Sequence, residues 1–353
     1  MLSKNFEKEL YKQTNMWMNV IEVKPRIWQI QKPVIERDVE WKQIIGSDAD
    51  EDDSFDIKNS VFKGFKLDTP TLLDKMFEYD FKLTKIPSKL IKDKDTFAKV
   101  KDTLKKLYPR IKNTFLVLAC DSSYPCITST DYLFFTQRCE FILKGHVPQA
   151  ALDSDRIATC FRNDVTRKIE HSKSDITRFD FLEIIVRLSM LLYAKELNQE
   201  KANSGEKKDK EKDKKKKSPR KSNKMNLAIA IERLFAEYID PAGLDVANTM
   251  EFRESLLYTF KVNQYYERNE GVFKTILAGY TKAGKPCISP TECIYFVQNN
   301  LGLFYIHERV IMRLYGYSKM ITVDLVKDPK GPVQMVYVEF LEFFARISHY
   351  ALI

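Results

Sequence analysis

Asn113–Gln137 reads NTFLVLACDSSYPCITSTDYLFFTQ, and Lys274–Gln298 reads KTILAGYTKAGKPCISPTECIYFVQ. Aligned without a gap, 8 of 25 positions are identical, including Pro125-Cys126-Ile127 against Pro286-Cys287-Ile288, at an offset of 161 residues. A second echo follows: Phe181-Leu182-Glu183 with Arg187 and Ser189 matches Phe340-Leu341-Glu342 with Arg346 and Ser348, at an offset of 159. Two separate matches at nearly one spacing point to a duplicated unit of about 130 residues.

Around that repeat the chain divides into four parts. Residues 1–70 form an arm, 71–200 the first unit, 201–224 a linker and 225–353 the second unit. The 353 residues, 44% of them hydrophobic, are enough for two ordinary cores. Within the units the helical period dominates. Leu227, Ile231, Leu234 and Tyr238 recur on one helix face, and Arg110–Ala119, Phe181–Tyr193, Leu256–Tyr266, Val272–Tyr280 and Phe340–Tyr350 read in the same way. The pattern predicts an all-α fold with at most short strand pairings.

The formal net charge of +9 is unevenly placed. Lys201–Lys224 holds 12 Lys/Arg against 4 Asp/Glu, a net +8, which leaves +1 for everything else. That segment cannot form a core and reads as a disordered, solvated tether. Its run Lys214, Lys215, Lys216 and Lys217 would attract a polyanion such as nucleic acid, anionic lipid or an acidic protein tail. Ser218-Pro219 beside it has the form of a proline-directed phosphorylation site, and a phosphate there offsets about 1.5–2 positive charges.

The arm carries Trp17, Trp28 and Trp41 among aliphatic residues, while Pro25 and Pro33 break any long helix. Rings of this kind demand burial. Either the arm straps across its own two units, or its tryptophans fill grooves on a partner, where Trp is enriched among anchors. The helices beginning at Phe181 and Phe340 are apolar nearly all round, so the arm or a partner must cover them. Their Glu183/Arg187 and Glu342/Arg346 pairs read as intrahelical ion pairs worth a few tenths of a kcal/mol.

Other features point away from catalysis and membranes. No run of eighteen apolar residues exists, and the charged first residues are unlike a signal peptide. The six cysteines lack CxxC spacing and read as reduced, mostly buried thiols, and zinc is not expected. Gly279–Lys285 matches most of a phosphate-binding loop but has Pro286 where Ser or Thr must stand. Asp48–Asp56 reads as a solvated acidic loop. His146, His171, His307 and His349 are scattered and read as surface or capping residues. The sequence predicts no enzyme, no cofactor, no metal and no small-molecule substrate.

The repeated core also has the grammar of an EF-hand: a helix, a loop with an apolar residue at position 8 and a carboxylate at position 12, then an exit helix. Ile127/Asp131, Ile176/Asp180, Ile288/Glu292 and Met335/Glu339 take those places in four loops. From Thr71 onward the chain resembles the calmodulin-like superfamily. The resemblance implies two tandem degenerate EF-hand-like four-helix units. Cys120, Ser122, Tyr124 with Pro125, and Thr281, Ala283, Lys285 with Pro286, stand where calcium needs oxygens and usually a glycine, so the units are expected to be calcium-independent.

Divergent EF-hand pairs joined by a basic tether also resemble accessory proteins of ciliary axonemes. That resemblance implies a non-catalytic structural or adaptor protein of the cytoplasmic cytoskeleton. It would be microtubule-associated, docking through the tryptophan arm and the exit helices and reaching tubulin or other axonemal proteins through Lys214–Lys217. The alternatives are a calcium-regulated sensor and a nucleic-acid-associated adaptor using the tether. The near-neutral units weigh against the latter.

Overall fold

The computed structural model describes residues 55–121, 124–161, 175–198, 225–244, 249–280 and 287–352. Among them the chain is mostly helical, as its periodicity predicts. Two isolated antiparallel bridges, Ile127 with Ile176 and Ile288 with Met335, are the extended pairings found there.

Helix α1 (Pro70–Leu83) starts on Thr69, whose hydroxyl accepts the Leu72 amide, with Pro70 at the first position, where a missing N–H costs nothing. Helix α2 (Lys94–Ala119) is longer than the segment predicted from Arg110, because it runs straight through Pro109. The proline gives up one backbone hydrogen bond. Val100, Leu104 and Tyr108, buried on the preceding turns, hold those turns helical. Each fully buried side chain of this size contributes about 1.5–3 kcal/mol.

Helices α3 (Ser129–Arg138), α4 (Gln149–Cys160) and α5 (Arg178–Leu192) complete this half. The Phe181, Leu182, Ile184, Ile185, Val186 and Leu188 side chains of α5 are all buried, so the helix is covered on nearly every side, with Met190 exposed near its end. It packs on α1, α2 and α4, and its remaining side is covered by α6 (Leu227–Leu234). Helix α6 starts on Asn226, whose side chain accepts the Ile229 amide, and ends in one wider π turn, Phe235–Ile239. In the sequence division α6 opens the second unit. Its Leu227, Ala230, Ile231 and Leu234 nevertheless belong to the first core, because α5 has an apolar side that the rest of its own half leaves open.

The second half holds α7 (Thr249–Phe252, prolonged by the turn Arg253–Leu257), α8 (Phe260–Arg268), α9 (Glu270–Ala278), α10 (Pro290–Tyr295, prolonged by Phe296–Asn300), α11 (Glu308–Ser318) and α12 (Tyr337–Leu352). The single helix expected over Leu256–Tyr266 is broken. Tyr258 leaves the helical conformation, and Thr259 caps α8 by accepting the Val262 amide. The freed Tyr258 ring stacks on Phe55, with centroids 5.6 Å apart.

Phe55 belongs to the end of the arm, which lies on this second core. Phe62 and Phe65 are buried in it, the Phe62 ring meets Tyr266 edge-on at 5.8 Å, and the Val61 amide donates to Asn263 Oδ1 at 2.9 Å. Each core is therefore completed by a segment remote in sequence: residues 225–244 close the first, and residues 55–67 help close the second.

The halves meet closely. Tyr124 packs against both cores. Helix α11 approaches α2 at Gly316, where a Cβ atom would collide with Cys120 Sγ. Arg313 Nη2 lies 2.5 Å from Asp121 Oδ1 beside that contact. Residues 55–351 form one compact unit. Among the described residues no helix is long and apolar enough to cross a membrane.

Candidate functional site

The four loops of the repeat end alike. Asp131 Oδ2 accepts the Thr128 amide and hydroxyl at 3.0 and 2.6 Å, and Asp180 Oδ2 accepts the same groups of Thr177 at 3.0 and 2.7 Å. Glu292 Oε2 does so with Ser289 at 2.8 and 2.7 Å, and Glu339 Oε2 accepts the Val336 amide at 2.8 Å. In the first three, the carboxylate three residues into the exit helix folds back on the residue that opens it, which is the capping-box arrangement. The carboxylates assigned to loop position 12 thus serve the helix start.

Immediately before each cap lies a bridge. Ile127 and Ile176 exchange both backbone hydrogen bonds at 2.9 Å, and Ile288 and Met335 do so at 3.0 and 2.9 Å. All four bridge residues have zero solvent exposure. Each bridge joins the two residues that the loop alignment sets at the same position, and it does so independently in both halves.

The two intrahelical ion pairs predicted from spacing are present, Glu183 with Arg187 and Glu342 with Arg346, but their carboxylates are buried. Glu342 is wholly buried. Arg253 Nε donates to its two oxygens at 3.1 and 3.0 Å, and Arg346 Nε donates to Oε1 at 2.9 Å. The two guanidiniums also donate to Tyr317 O and Thr249 O and lie over the Phe65 and Phe252 rings. Burial raises the Glu342 carboxyl above its ordinary range, against the pull of both arginines, and lowers Arg346. In the first half, Glu183 accepts from Arg187 at 2.9 Å and from the Lys85 amide at 2.7 Å, while Arg187 reaches Asp155 at 3.5 Å. Where both partners are buried, as Glu342 and Arg346 are, removing one leaves a charge stranded, which costs about 3–5 kcal/mol.

A second buried cluster ties the halves together. Arg178 grips Asp80 with Nε at 2.6 Å and Nη2 at 2.9 Å, and it donates to Thr322 O and Val323 O of the other half. The Tyr108 hydroxyl donates to the same carboxylate, and burial together with that neighbouring charge pushes its phenol well up. Arg178 and Lys319 line a cleft between the halves that encloses about 80 Å³. Small-molecule sites run to roughly 300–1,000 Å³, so this one has room for waters only.

The fourth loop is the best described. Lys319, at the end of α11, is buried with Glu339. Its Nζ lies 2.5 Å from Glu339 Oε2 and donates to Gln334 O at 2.7 Å, while the Met320 amide donates to Glu339 Oε1 at 2.7 Å. Asp328, which opens the loop, accepts the Gly331 amide at 2.9 Å. Calcium takes six to eight oxygens, with side-chain ligands at positions 1, 3 and 5. Here those positions are Asp328, Lys330 and Pro332, and both Glu339 oxygens already accept hydrogen bonds. The residues do not fit a calcium ion. Among the described residues, no group of three or more His, Cys, Asp or Glu side chains is placed to hold any metal.

The thiols are quiet as well. All six cysteines are free, and five of them are buried. Burial pushes the Cys139 thiol up to about 12 and also raises Cys120 and Cys293, so none of these three is a thiolate at neutral pH. His307 is a capping residue, its Nδ1 accepting the Arg309 amide at 3.1 Å.

The partner-binding residues expected from sequence, Trp17, Trp28, Trp41, Lys214, Lys215, Lys216 and Lys217, lie outside the described residues, as do Ser218 and the loop ends at Ser122 and Thr281–Pro286. Lys319, Arg253, Arg178 and Asp80 were not singled out from sequence. Arg253 stands between Glu251 and Glu254, and Asp80 between Glu78 and Lys82, so no sequence signal sets either apart from its charged neighbours. Compared with known proteins, this chain matches no protein-family model, no curated protein and no solved structure.

Proposed function

We propose that this chain is a non-catalytic scaffold built on two degenerate EF-hand-like pairs that keep their shape without calcium and offer their outer surface to protein partners. The observation that carries this is the double bridge. Ile127–Ile176 and Ile288–Met335 each join equivalent positions of two loops, and the position-12 carboxylates beside them are engaged in caps or with Lys319.

Both cores are closed by the chain itself, so the exit helices are not free to receive a partner, as the sequence had suggested. Docking falls instead to outer residues such as Phe304 and Tyr305, each 70% exposed, and to the tryptophan arm and lysine tether. In the cell, this scaffold is a cytoskeletal component of the ciliary axoneme that meets tubulin or other axonemal proteins. This placement rests on the sequence resemblance.

Fractionation of ciliated cells tests the assignment. The tagged protein is expected to stay with the axoneme through detergent and then high salt, held by apolar docking. Release by detergent, or exclusion from cilia, would remove the axonemal assignment and leave a scaffold acting elsewhere.

A further inference from the structure

We propose that Lys319 is a tethered cation: its ammonium occupies the place that a bound ion would take in the fourth loop and holds that loop permanently in its ion-loaded form. The inference rests on the EF-hand reading and deepens it. With Met335 at position 8, Gln334 stands at position 7, whose backbone carbonyl is an ion ligand in that loop pattern, and Glu339 stands at position 12, whose carboxylate is the bidentate ligand. Lys319 Nζ touches both, at 2.7 and 2.5 Å.

Three further features fit this assignment. Glu339 and Lys319 are 2% and 9% exposed, so the contact is buried charge and not a surface pair. The lysine, nine residues before Asp328 opens the loop, follows directly on Ser318, the last residue of α11, and its side chain reaches the Gln334 carbonyl and Glu339 from outside the loop's own twelve residues. The backbone around it is drawn in as well: the Met320 and Val336 amides each donate to one oxygen of Glu339, and Met335 pairs with Ile288 next door. Burial lowers the Lys319 pKa, and the charge of Glu339, with a smaller part from Asp328, opposes the shift.

An ion held by covalent linkage cannot dissociate. The fourth loop therefore needs no calcium and cannot respond to it, which is the property a constitutive scaffold requires.

The test is removal of the tether in the full chain, with calcium chloride as the probe and sodium chloride of equal ionic strength as the control. In the wild type, millimolar calcium is expected to leave the melting temperature unchanged. Lys319→Ala is expected to lower it by about 5–10 °C, because Glu339 is left buried without its counter-charge. Lys319→Ala alone still has Lys330 and Pro332 at positions 3 and 5, so calcium is tested on Lys319→Ala combined with Lys330→Asp and Pro332→Asp. There it should restore part of the loss in a saturable way, since binding to the folded form must stabilise it, while the same two aspartates with Lys319 in place should give no response. Lys319→Met, which fills the space without a charge, should show the loss but no restoration.

If that triple variant is unfolded without calcium, recovery of helical circular dichroism on adding calcium serves as the same readout. No calcium response in the triple variant by either readout overturns the inference and leaves an ordinary buried ion pair. Amide exchange in the wild type separates the two levels. If Ile288 and Met335 are protected while the triple variant ignores calcium, only the tethered cation is wrong. If those amides exchange freely, the loop pairing falls with it.

Discussion

The two halves share a backbone device and differ in how they balance the charge beneath it. In both, a bridge joins two loops and a carboxylate caps each exit helix. Under the bridge of the first half, Glu183 meets one arginine from its own helix and a backbone amide from Lys85. Under the second, Glu342 is clamped by two arginines, one of them from the remote helix α7. The Phe-Leu-Glu motif is the same in both, so the motif fixes the position of the buried carboxylate and not its partners. Beyond the arginine each carboxylate takes from its own helix, the first half supplies the Lys85 amide that follows α1, and the second supplies Arg253 from α7.

The largest test of this contrast is removal of each carboxylate in turn. Glu342→Ala strands two buried guanidiniums and should cost about 3–5 kcal/mol in denaturant unfolding. Glu183→Ala releases an arginine that is partly exposed and can reach Asp155, and it should cost about 1–3 kcal/mol. Equal losses would mean that the second arginine of the second half contributes nothing.

The next effect concerns the contact between the halves. Gly316→Ala puts a methyl group into Cys120 Sγ where α11 meets α2. It should destabilise by about 1–3 kcal/mol, despite the roughly 1 kcal/mol that alanine gains over glycine inside a helix. Cys120→Ala in the same background should recover most of it. A stabilised Gly316→Ala protein would show that the halves are looser than this packing requires.

Much of this arrangement was legible in the sequence. The Pro-Cys-Ile core and the Phe-Leu-Glu endings point to the duplication, and the four-residue step from Ile127 to Asp131, with its three counterparts, reads as loop positions 8 and 12, where the structure has the bridges and the capping carboxylates. The exchange of segments between the halves was not legible. Periodicity tells which face of Leu227–Tyr238 is buried, but not which of two similar cores receives it. Lys319 was hidden for a related reason. It lies one residue outside its helix, and its partners at Gln334 and Glu339 are brought to it only when the loop closes. The helix read over Arg110–Ala119 is also longer than its pattern shows, because tertiary burial carries α2 through Pro109.

A smaller effect separates the caps from the charges. Ser289→Ala removes the hydroxyl that accepts the Glu292 amide and donates to its carboxylate, and it should cost about 1 kcal/mol. Thr177→Ala should cost a similar amount in the other half, measured by the same unfolding curves. A loss several-fold larger in one half would mean that the loops are not equivalent.

The pH response of Glu342 should be modest and opposite in sign to ordinary acid unfolding. Its carboxyl is raised above 4.5 in the folded protein, so on acidification the native state takes up this proton before the unfolded chain does. The contribution of this group to stability is full below 4.5 and is lost as pH rises through the folded value. Carboxyl-detected NMR titration should place its midpoint above 4.5, and a midpoint below that would show the two arginines outweighing burial.

The loop pairing itself is open to one decisive experiment: amide hydrogen exchange at Ile127, Ile176, Ile288 and Met335, in chelator and again in calcium. Protection of all four amides in chelator, unchanged by calcium, is the result expected of two pairs locked by their own residues. Amides that exchange freely in chelator and become protected only with calcium would contradict it and make the chain an ion-dependent switch.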